Sequence, residues 1–339
     1  MNADYFIIAL FAIVPGFVLI YFIILKWLKT PSRPFETSAS VGKAYDEWTS
    51  DGILEYFWGE HIHLGYYEVA SWFDVDKTFP RCLLAALISA DSGIDAFKMA
   101  KTHFVTRMCE FGGLFNTRGY LKIADVGCGI GGTSRVLSRI VDSCSVTGIS
   151  ISRLQIDRAV DLTSAAGIKS VSYVVADAVS MPEIEPHTYD VVWICESSEH
   201  VSDKAAFLKE ACRILQPGGR LVMAAWCARE PRNDEEASVK EYLEQEWSHP
   251  RFASLEEISE ILTEKIGMED LRTEDWTSHT IASWYHSILV GIWRPWIVIS
   301  QPSLWLKTIR EIYTICLMHA AFKAGLMQYG MLTASKPRQ

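Results

Sequence analysis

Ile-Ala-Asp-Val-Gly-Cys-Gly-Ile-Gly-Gly-Thr, residues 123–133, is an apolar strand that runs into a glycine-rich turn and then into a helix. Such a turn exposes backbone amides at a helix N-terminus to a bound nucleotide. The spacing Gly127-x-Gly129-x-x-Gly132 also fits dinucleotide-binding proteins, which need in addition a carboxylate at the end of the second strand. The expected second strand, residues 145–149, has no acidic residue there. The pattern therefore disfavours a dinucleotide.

Asp125, two positions before the first glycine, indicates a different nucleotide. An S-adenosyl ligand lacks a pyrophosphate but carries an ammonium and a carboxylate. These groups suit the Asp125 carboxylate, directly or through water, and the exposed amides of the turn. The stretch resembles motif I of the class I S-adenosylmethionine-dependent methyltransferases. We therefore expect S-adenosyl-L-methionine as the cofactor, bound by Asp125, Gly127, Cys128, Gly129 and Gly131.

Apolar runs alternate with helical patterns along the rest of the chain. After the strand that begins at Ile123, we expect strands at residues 145–149, 172–176, 189–195, 220–226, 268–273 and 328–335, and helices at 131–141, 153–166 and 203–215. Residues 216–219 are expected to form a turn. This alternation predicts an α/β fold with a doubly wound, mostly parallel seven-stranded sheet. The resemblance implies that the last strand is antiparallel.

Polar residues follow the expected third and fourth strands, at the edge where open α/β sheets bind ligands. Asp177 and Ala178 come after the third strand. The resemblance implies that Asp177 meets the adenine amino group; a solvated acid in a turn is the alternative. Glu196, Glu199 and His200 come after the fourth strand, and we expect Glu196 to lie near the cofactor.

The composition narrows the range of functions. The net charge of −9 lacks the basic excess of nucleic-acid-binding proteins, so we expect no nucleic-acid partner. The eight cysteines include no Cys-x-x-Cys pair, and we expect them to be reduced, with no metal site. The 339 residues, 49% of them hydrophobic, suffice for one catalytic domain with appended segments.

The amino terminus predicts a membrane anchor. Residues 5–25 carry no charge and are long enough to cross about 30 Å of hydrocarbon as a helix. Lys26, Lys29 and Arg33 follow, which by the positive-inside rule places the catalytic domain in the cytosol. A cleaved signal peptide is the alternative, but its positive n-region is missing. We expect an anchor at residues 1–29, a linker at 30–44 and a methyltransferase domain at 45–337.

An unusual density of aromatic, imidazole and glycine residues lies between the linker and the sheet. It includes Trp58, His61, His63 and Tyr67, which we expect to contact the methyl acceptor. The two histidines also suggest a metal site, but no cysteine or aspartate cluster accompanies them. Packing of amino-terminal helices on the sheet is another explanation for the aromatic residues.

Four stretches, residues 58–67, 148–155, 196–200 and 275–276, carry a closer resemblance. Together they resemble the γ-tocopherol O-methyltransferase group, which shares its pattern with sterol C-methyltransferases and small-molecule N-methyltransferases. The resemblance implies methyl transfer to a lipophilic small molecule: a chromanol, a prenylated quinol, or another isoprenoid or sterol. It also implies that Ser150, Ser152 and Gln155 line the cofactor. The membrane would be the endoplasmic reticulum or the plastid envelope.

Glu199 and His200 are the expected catalytic residues. A sulfonium methyl is already activated, so catalysis consists mainly of holding nucleophile, methyl carbon and sulfur in line within about 3 to 3.5 Å. A base is needed where the acceptor loses a proton, as in methylation of a phenol ring at carbon. A cap on the helix that begins near Asp203 is the alternative role for both residues. The faces of Tyr45, Trp58 and Tyr67 are expected to stabilise the sulfonium.

About 55 residues separate the last two expected strands, too many for a simple loop, so we expect a structured insertion at residues 274–327. It holds Trp276, a further expected acceptor contact, together with Trp284, Trp293, Trp296 and Trp305. Ile309, Ile312, Tyr313, Cys316 and Leu317 recur at helical spacing, with Lys307, Arg310 and Glu311 off this stripe. A lid over the acceptor or a helix at the membrane interface explains these features, and so does a helix packed on the sheet.

Two other functions fit the same sequence. A methyltransferase of this fold acting on the nitrogen of a soluble amine should enclose a small polar pocket with its insertion. A non-catalytic protein that binds an S-adenosyl ligand is the other alternative. Such a protein is expected to have lost Asp125 or the glycines of the turn, which this chain has kept.

Overall fold

A seven-stranded sheet of order β3-β2-β1-β4-β5-β7-β6 forms the centre of the computed structural model, which describes residues 22–68 and 90–338. The strands are β1 (Leu121–Val126), β2 (Cys144–Ser150), β3 (Val171–Val175), β4 (Tyr189–Cys195), β5 (Leu215–Ala228), β6 (Glu269–Asp275) and β7 (Met327–Ser335). Neighbouring strands from β3 to β5 are parallel, and β7 runs antiparallel between β5 and β6. The predicted α/β fold, with its doubly wound sheet and antiparallel last strand, is confirmed.

Helices flank the sheet and cover its carboxyl edge. They are α1 (Ser38–Asp51), α2 (Ile53–Trp58), α3 (Ala90–Gly112), α4 (Gly132–Ile140), α5 (Arg153–Ala165), α6 (Lys204–Ile214), α7 (Asp234–Glu246), α8 (Leu255–Glu260), α9 (Thr277–Thr280), α10 (Ala282–Trp293), α11 (Trp296–Ile299) and α12 (Trp305–Lys323). The side chain of Asp203 accepts a hydrogen bond from the backbone of Ala206 and so caps α6. A cap on this helix was the alternative role for Glu199 and His200. Asp203 is the residue that caps it.

Both faces of the central strands β1 and β4 are buried, as expected for parallel strands between helices. Successive residues of β4 point to opposite faces: Trp193 belongs to the core that includes Phe104 of α3, and Val192 to the core that includes Phe207 of α6. Because the strands β1 to β4 are parallel, their carboxyl ends meet at one edge of the sheet. Residues that follow these strands lie together there.

Strand β5 is longer than the sequence predicts. It begins at Leu215, so Gln216 and Gly218 of the predicted turn lie within the strand. Gly218 has a φ of 77°, and the register with β4 shifts between Tyr189 and Val191. A bulge of this kind bends a strand while pairing continues on either side. The prediction of a turn at residues 216–219 before a separate strand at 220–226 is therefore wrong.

The apolar stripe of α12 is not the face that this helix buries. Ile309 is 49% exposed, whereas Arg310 is buried. The guanidinium of Arg310 donates to the backbone oxygens of Trp27 and Thr30, at 2.8 and 2.6 Å, and pairs with Glu246 at 3.3 Å. Burial of a charge is tolerated when the charge is paired and hydrogen-bonded. The periodicity predicts the helix correctly, and the exposed or half-buried stripe fits the lid or interfacial helix better than a helix packed on the sheet by this stripe.

Most of the predicted anchor, residues 5–25, lies outside the described residues. Residues 22–29 are helical, and within the described part of the chain no helix has the length and apolar character needed to cross a membrane. The segment that follows is bonded to the protein body, because the backbone nitrogen and hydroxyl of Ser32 donate to Glu246 at 2.8 and 2.9 Å. Helix α1 begins at Ser38, within the expected linker. The domain boundaries stay predictions.

Candidate active site

A cavity of about 650 Å³ opens at the carboxyl ends of β1 to β4, a volume typical of small-molecule sites. The sheet ends and their turns form one part, the sheet half, lined by Asp125, Gly127, Cys128, Gly129, Ser150, Gln155, Asp177, Ala178 and Glu196. Helices α1, α2 and α10 to α12 contribute most of the other part, the helical half, lined by Tyr45, Trp48, Trp226, Trp247, Trp284, Ile288, Ile292, Ile299, Ile312 and Ile315. Glu199 and His200 also line the cavity.

The predicted nucleotide turn follows β1. Gly127 has a φ of 84°, and a Cβ on it would lie 2.2 Å from the Cβ of Ser197. Gly129 has a φ of 55°, but a Cβ there would meet nothing nearer than 3.9 Å, because this residue faces the cavity. Packing within the protein thus requires the first glycine, and the second leaves room for a ligand. Gly131 is the N-cap of α4 and lies outside the lining.

Asp125 is buried in the wall of the sheet half. Its Oδ2 accepts a hydrogen bond from the hydroxyl of Ser134 at 2.6 Å. Burial raises the pKa of the Asp125 carboxyl to about 6, and the Ser134 hydrogen bond opposes this rise. A cationic group of a ligand beside Asp125 would favour its ionised form. Asp177 lies in the same half, and its Oδ1 accepts from the backbone nitrogen of Val179 at 3.0 Å.

Three predicted cofactor residues lie at the end of β2 and directly after it. The hydroxyl of Ser150 donates to Oε1 of Gln155 at 2.9 Å, and both residues line the cavity. This bond fixes the Gln155 amide and leaves its nitrogen available. Ser152 lies outside the lining: it caps α5 and donates to Asp46 of α1. Its hydroxyl therefore fastens α1 to the sheet half.

Residues 58–63, which we call the strap, lie against the nucleotide turn, and Trp58, His61 and His63 line the cavity. The strap is held from two sides. The buried Lys101 donates from Nζ to the backbone oxygens of Trp58 and His61, at 2.6 Å each. Glu60 pairs with Arg135 of α4 at 2.7 Å. No group of three His, Cys, Asp or Glu side chains suited to a metal ion is found among the described residues.

Two carboxyl groups follow β4. Oε1 of Glu196 accepts from the backbone nitrogen of Leu64 at 2.8 Å and from the hydroxyl of Tyr329. Oε1 of Glu199 accepts from the backbone nitrogen of Trp226. Burial raises the pKa of Glu196 to about 8 and the pKa of Glu199 to about 7. At neutral pH, Glu196 is mostly protonated, and Glu199 is able to gain or lose a proton.

His200 lies beside Glu199. Its Nε2 is 2.8 Å from the hydroxyl of Tyr45, and its ring stacks on His249 with centroids 4.3 Å apart. Burial, together with the charge of Lys204, lowers the pKa of His200 to about 4. The imidazole is therefore neutral at pH 7 and takes up a proton only from a strongly acidic group.

Aromatic rings and isoleucines line the helical half. Trp226, Trp247 and Trp284 contact one another, with ring centroids 5.2 to 5.9 Å apart. Ile292 and Ile312 come from the insertion. This half thus offers flat apolar walls to a ligand, whereas the sheet half offers carboxylates, amides and hydroxyls.

Two residues predicted to contact the acceptor lie elsewhere. The hydroxyl of Tyr67 is 2.8 Å from Nδ1 of His286. Trp276 is buried, and its Nε1 donates to Glu274 at 2.8 Å. Neither residue lines the cavity. Trp58 does, but Nζ of Lys101 lies 4.5 Å from its ring centroid and occupies one face of the ring.

Sequence reasoning missed Lys101, Trp226, Trp247 and His249 as residues of the site. Trp226 ends the expected fifth strand, so its position at the carboxyl edge of the sheet was a usable signal. The other three carry none, because they lie outside every recognisable motif and reach the site through tertiary packing.

The chain matches known methyltransferases along most of its length. A family model described as a methyltransferase domain matches residues 124–223. The 2-methyl-6-phytyl-1,4-hydroquinone methyltransferase of Synechocystis sp. is 39% identical over 89% of each chain. The chloroplastic tocopherol O-methyltransferase of Arabidopsis thaliana is 30% identical over 88% of this chain and 82% of that protein. The structure of geranyl diphosphate C-methyltransferase from Streptomyces coelicolor A3(2), with bound S-adenosyl-L-homocysteine, has a TM-score of 0.66 at 18% identity, covering 90% of this chain and 100% of that one.

The sheet half fits S-adenosylmethionine, the expected cofactor. Asp125 provides a carboxyl group and Gly129 provides open space beside it, while the backbone nitrogens of Gly127 and Cys128 donate to the backbone oxygen of Ile149, at 2.8 and 3.0 Å, and so hold the turn in shape. The protein is a methyltransferase that uses this cofactor. With relatives of this identity and coverage, the chain belongs to the class I S-adenosylmethionine-dependent methyltransferases, in the tocopherol O-methyltransferase group.

Proposed function

We propose that the enzyme methylates the ring of a prenylated hydroquinone or a related isoprenoid phenol. The observation that carries this proposal is the combination, in one cavity, of aromatic apolar walls with two carboxyl groups of raised pKa. The Synechocystis relative is named for such a hydroquinone, which supports the same acceptor class here. The amine alternative requires a small polar pocket, and the helical half is large and apolar.

We infer that the sheet half holds the cofactor through residues that line it. Asp125 and the turn from Gly127 to Gly129 would hold the amino-acid part, and Asp177 the adenine amino group. Ser150 and Gln155 lie between these two ends and would contact the ribose. Their common position in the cavity wall supports this assignment.

The cofactor supplies an activated methyl group, and the protein's own task is to ionise the acceptor and hold it in place. Glu199 accepts the proton of the ring hydroxyl, which turns the ring carbon beside it into a better nucleophile. A pKa near the working pH suits a general base. As the ring carbon bonds to the methyl group, the bond of that group to the cofactor sulfur breaks; the ring proton then leaves to His200, which is neutral and hydrogen-bonded to Tyr45, and Glu199 returns its proton to the ring oxygen. The aromatic walls exclude water while this happens.

Product analysis tests the acceptor class. Purified enzyme would be given methyl-labelled cofactor with a prenylated hydroquinone, a chromanol, a sterol and a soluble amine, each in separate vesicle suspensions. Mass spectrometry should find the label on the hydroquinone ring or the chromanol. Label only on the sterol or only on the amine would overturn the proposal.

We propose further that the enzyme works on a bilayer surface. Trp296 is 70% exposed and Trp305 is 52% exposed. Ile292, Ile299 and Ile312 are exposed as well, and these three also line the cavity. The cavity therefore opens through an exposed apolar face of α10 to α12, which we call the mouth face. Exposed apolar faces of this kind mark membrane or protein contacts.

The predicted anchor at residues 5–25 supports the same surface, because the residues that follow it are bonded to α12 through Arg310. The catalytic domain would lie on the side of the cationic residues Lys26 and Lys29. Of the two membranes considered, the plastid envelope is favoured, since the Arabidopsis relative is named as chloroplastic.

Exposed residues elsewhere provide a matched control for the mouth face. Trp296→Ser with Trp305→Ser should raise the KM for an acceptor embedded in vesicles and leave the affinity for the cofactor unchanged. Met99→Ser with Tyr120→Ser removes side chains of similar exposure, 65% and 60%, at other sites and should change neither. Equal effects of the two double variants would contradict the mouth-face assignment.

A further inference from the structure

His61 and His63 form a hydrogen-bonded pair on the strap. Nδ1 of His63 lies 2.8 Å from the backbone oxygen of Leu64, and Nδ1 of His61 lies 3.1 Å from Nε2 of His63. The methyl-transfer steps proposed above use neither ring. Their geometry nevertheless determines where each ring carries its proton.

A carbonyl oxygen only accepts hydrogen bonds, so His63 must carry its proton on Nδ1, and its Nε2 is an acceptor. Nδ1 of His61 must then be the donor to that nitrogen. Burial lowers the pKa of His63 to about 3 and keeps the pKa of His61 well below its ordinary value, so both rings are neutral. Nε2 of His61 is left as an unprotonated acceptor.

This acceptor lies beside the nucleotide turn. His61 lines the cavity, and its Nδ1 is 3.5 Å from the hydroxyl of Thr133 in the first turn of α4. The neighbouring side chain of Ile62 lies 4.0 Å from the Cβ position of Gly129. None of the described residues donates a hydrogen bond to Nε2 of His61. Because His61 is only half-buried and lines the cavity, this nitrogen is open to water and to a ligand donor that replaces the water.

The cofactor carries its donors at separate places: the adenine amino group, the ribose hydroxyls and the α-ammonium. Asp177 follows β3, two strands from β1, and is the residue assigned to the adenine. The turn after β1 is assigned to the amino-acid part. The donor nearest to His61 is therefore the α-ammonium.

We propose that Nε2 of His61 accepts a hydrogen bond from the α-ammonium of S-adenosylmethionine, so that this ring and Asp125 hold the ammonium together. His61 then serves the cofactor and not the methyl acceptor. The backbone oxygen of His61 is fixed by Lys101, and the adjacent Glu60 is fixed by Arg135, so the ring is already in place before the cofactor binds. A lone pair at this position repels a carboxylate, which orients the amino-acid part of the ligand.

Calorimetry with two ligands tests this role without measuring turnover. S-adenosyl-L-homocysteine has the α-ammonium, whereas 5′-methylthioadenosine lacks the whole amino-acid part. His61→Leu should weaken binding of the first about 10- to 100-fold, as expected for a lost hydrogen bond to a charged group, and change the second less than about twofold. His61→Asn offers an amide oxygen as acceptor and should retain more of the affinity. His103→Leu, a histidine of α3 outside the cavity lining, should change neither.

Two outcomes would overturn the proposal. Equal weakening of both ligands by His61→Leu would mean that the ring only supports the shape of the turn. An unchanged affinity for S-adenosyl-L-homocysteine, with a raised KM for the methyl acceptor, would assign His61 to the acceptor instead. Binding of 5′-methylthioadenosine also shows whether each variant is folded.

Discussion

The two halves of the cavity are assembled from the chain in different ways. In the sheet half, the short stretch from Asp125 to Gly129 supplies a carboxyl group, a turn held by backbone hydrogen bonds and open space together. In the helical half, Tyr45, Trp247 and Ile312 meet although they are far apart in sequence. Cofactor recognition is therefore local in this chain, whereas acceptor recognition depends on how distant helices pack. A single substitution should affect one half without the other.

The largest effect is expected in the sheet half, for Gly129→Val. Gly129 and Gly167 both have positive φ, 55° and 66°, with open surroundings, but only Gly129 faces the cavity. Both variants carry the strain of a side chain in left-handed backbone, about 1 to 2 kcal/mol. Gly129→Val should abolish cofactor binding in calorimetry, and Gly167→Val should leave it unchanged. Cofactor binding by Gly129→Val within threefold of the wild type would refute the assignment of the turn.

The second largest effect is expected for the loss of the proposed base, Glu199, which lines the cavity. Glu199→Gln removes the charge with little change of shape and should lower kcat about 10²- to 10⁴-fold. The affinity for the cofactor should remain, because Glu199 acts only when the acceptor loses a proton. Glu210→Gln, which changes a carboxyl paired with Arg213 away from the cavity, is the control. If both Glu199→Gln and His200→Ala keep the wild-type kcat, the base hypothesis is wrong, and catalysis rests on positioning of the acceptor alone.

A smaller effect, confined to the helical half, is expected for Trp247→Leu. Trp247 lines the cavity, while Trp276 is buried outside it. Loss of the indole wall should raise the KM for a lipophilic acceptor about tenfold without changing cofactor affinity, the pattern for losing acceptor binding alone. Trp276→Leu should lower the thermal midpoint instead and leave the KM near the wild-type value. A raised KM in Trp276→Leu, with a lowered thermal midpoint alone in Trp247→Leu, would mean that Trp276 and not Trp247 belongs to the helical half.

The last effect concerns stability and its dependence on pH, not binding or turnover. The pKa of Glu196 is raised to about 8, so its carboxyl binds a proton more tightly in the folded state than in the unfolded state. Its contribution to stability is therefore present below its ordinary pKa of 4.5 and is lost as the pH rises through about 8. Glu196→Gln should gain thermal stability relative to the wild type between about pH 5 and pH 8.5. A Tm difference that is constant with pH would contradict the raised pKa.

The contrast between the two halves also explains which parts of the site could be predicted from the sequence. The turn around Asp125 and the acids after β3 and β4 could be predicted, because strand ends in an open sheet converge at one edge. Tyr67 and Trp276 belong to the same aromatic segments as true lining residues, yet their rings pack inside the protein. Sequence pattern alone does not separate an aromatic residue that packs from one that lines a cavity.

Helix α12 shows the limit of periodicity. The apolar stripe that begins at Ile309 is compatible with a buried face and with an exposed one, and the structure turns it outward while Arg310 finds paired acceptors inside the protein. The partners of Arg310 are Glu246 and backbone oxygens near residue 30, all distant in sequence. Such a pairing becomes visible only when the chain has folded.

The buried Arg310 also determines how closely the enzyme would be held to a bilayer. It fastens the backbone oxygens of Trp27 and Thr30, and its guanidinium carbon lies 4.3 Å from the Trp27 ring centroid. A span that ends near residue 25 would therefore have almost no free tether. Such an enzyme meets its acceptor by lateral diffusion, so the supply of acceptor follows its mole fraction in the lipid. Dilution of the acceptor with inert lipid would then slow the reaction, even though its concentration per volume of suspension is unchanged.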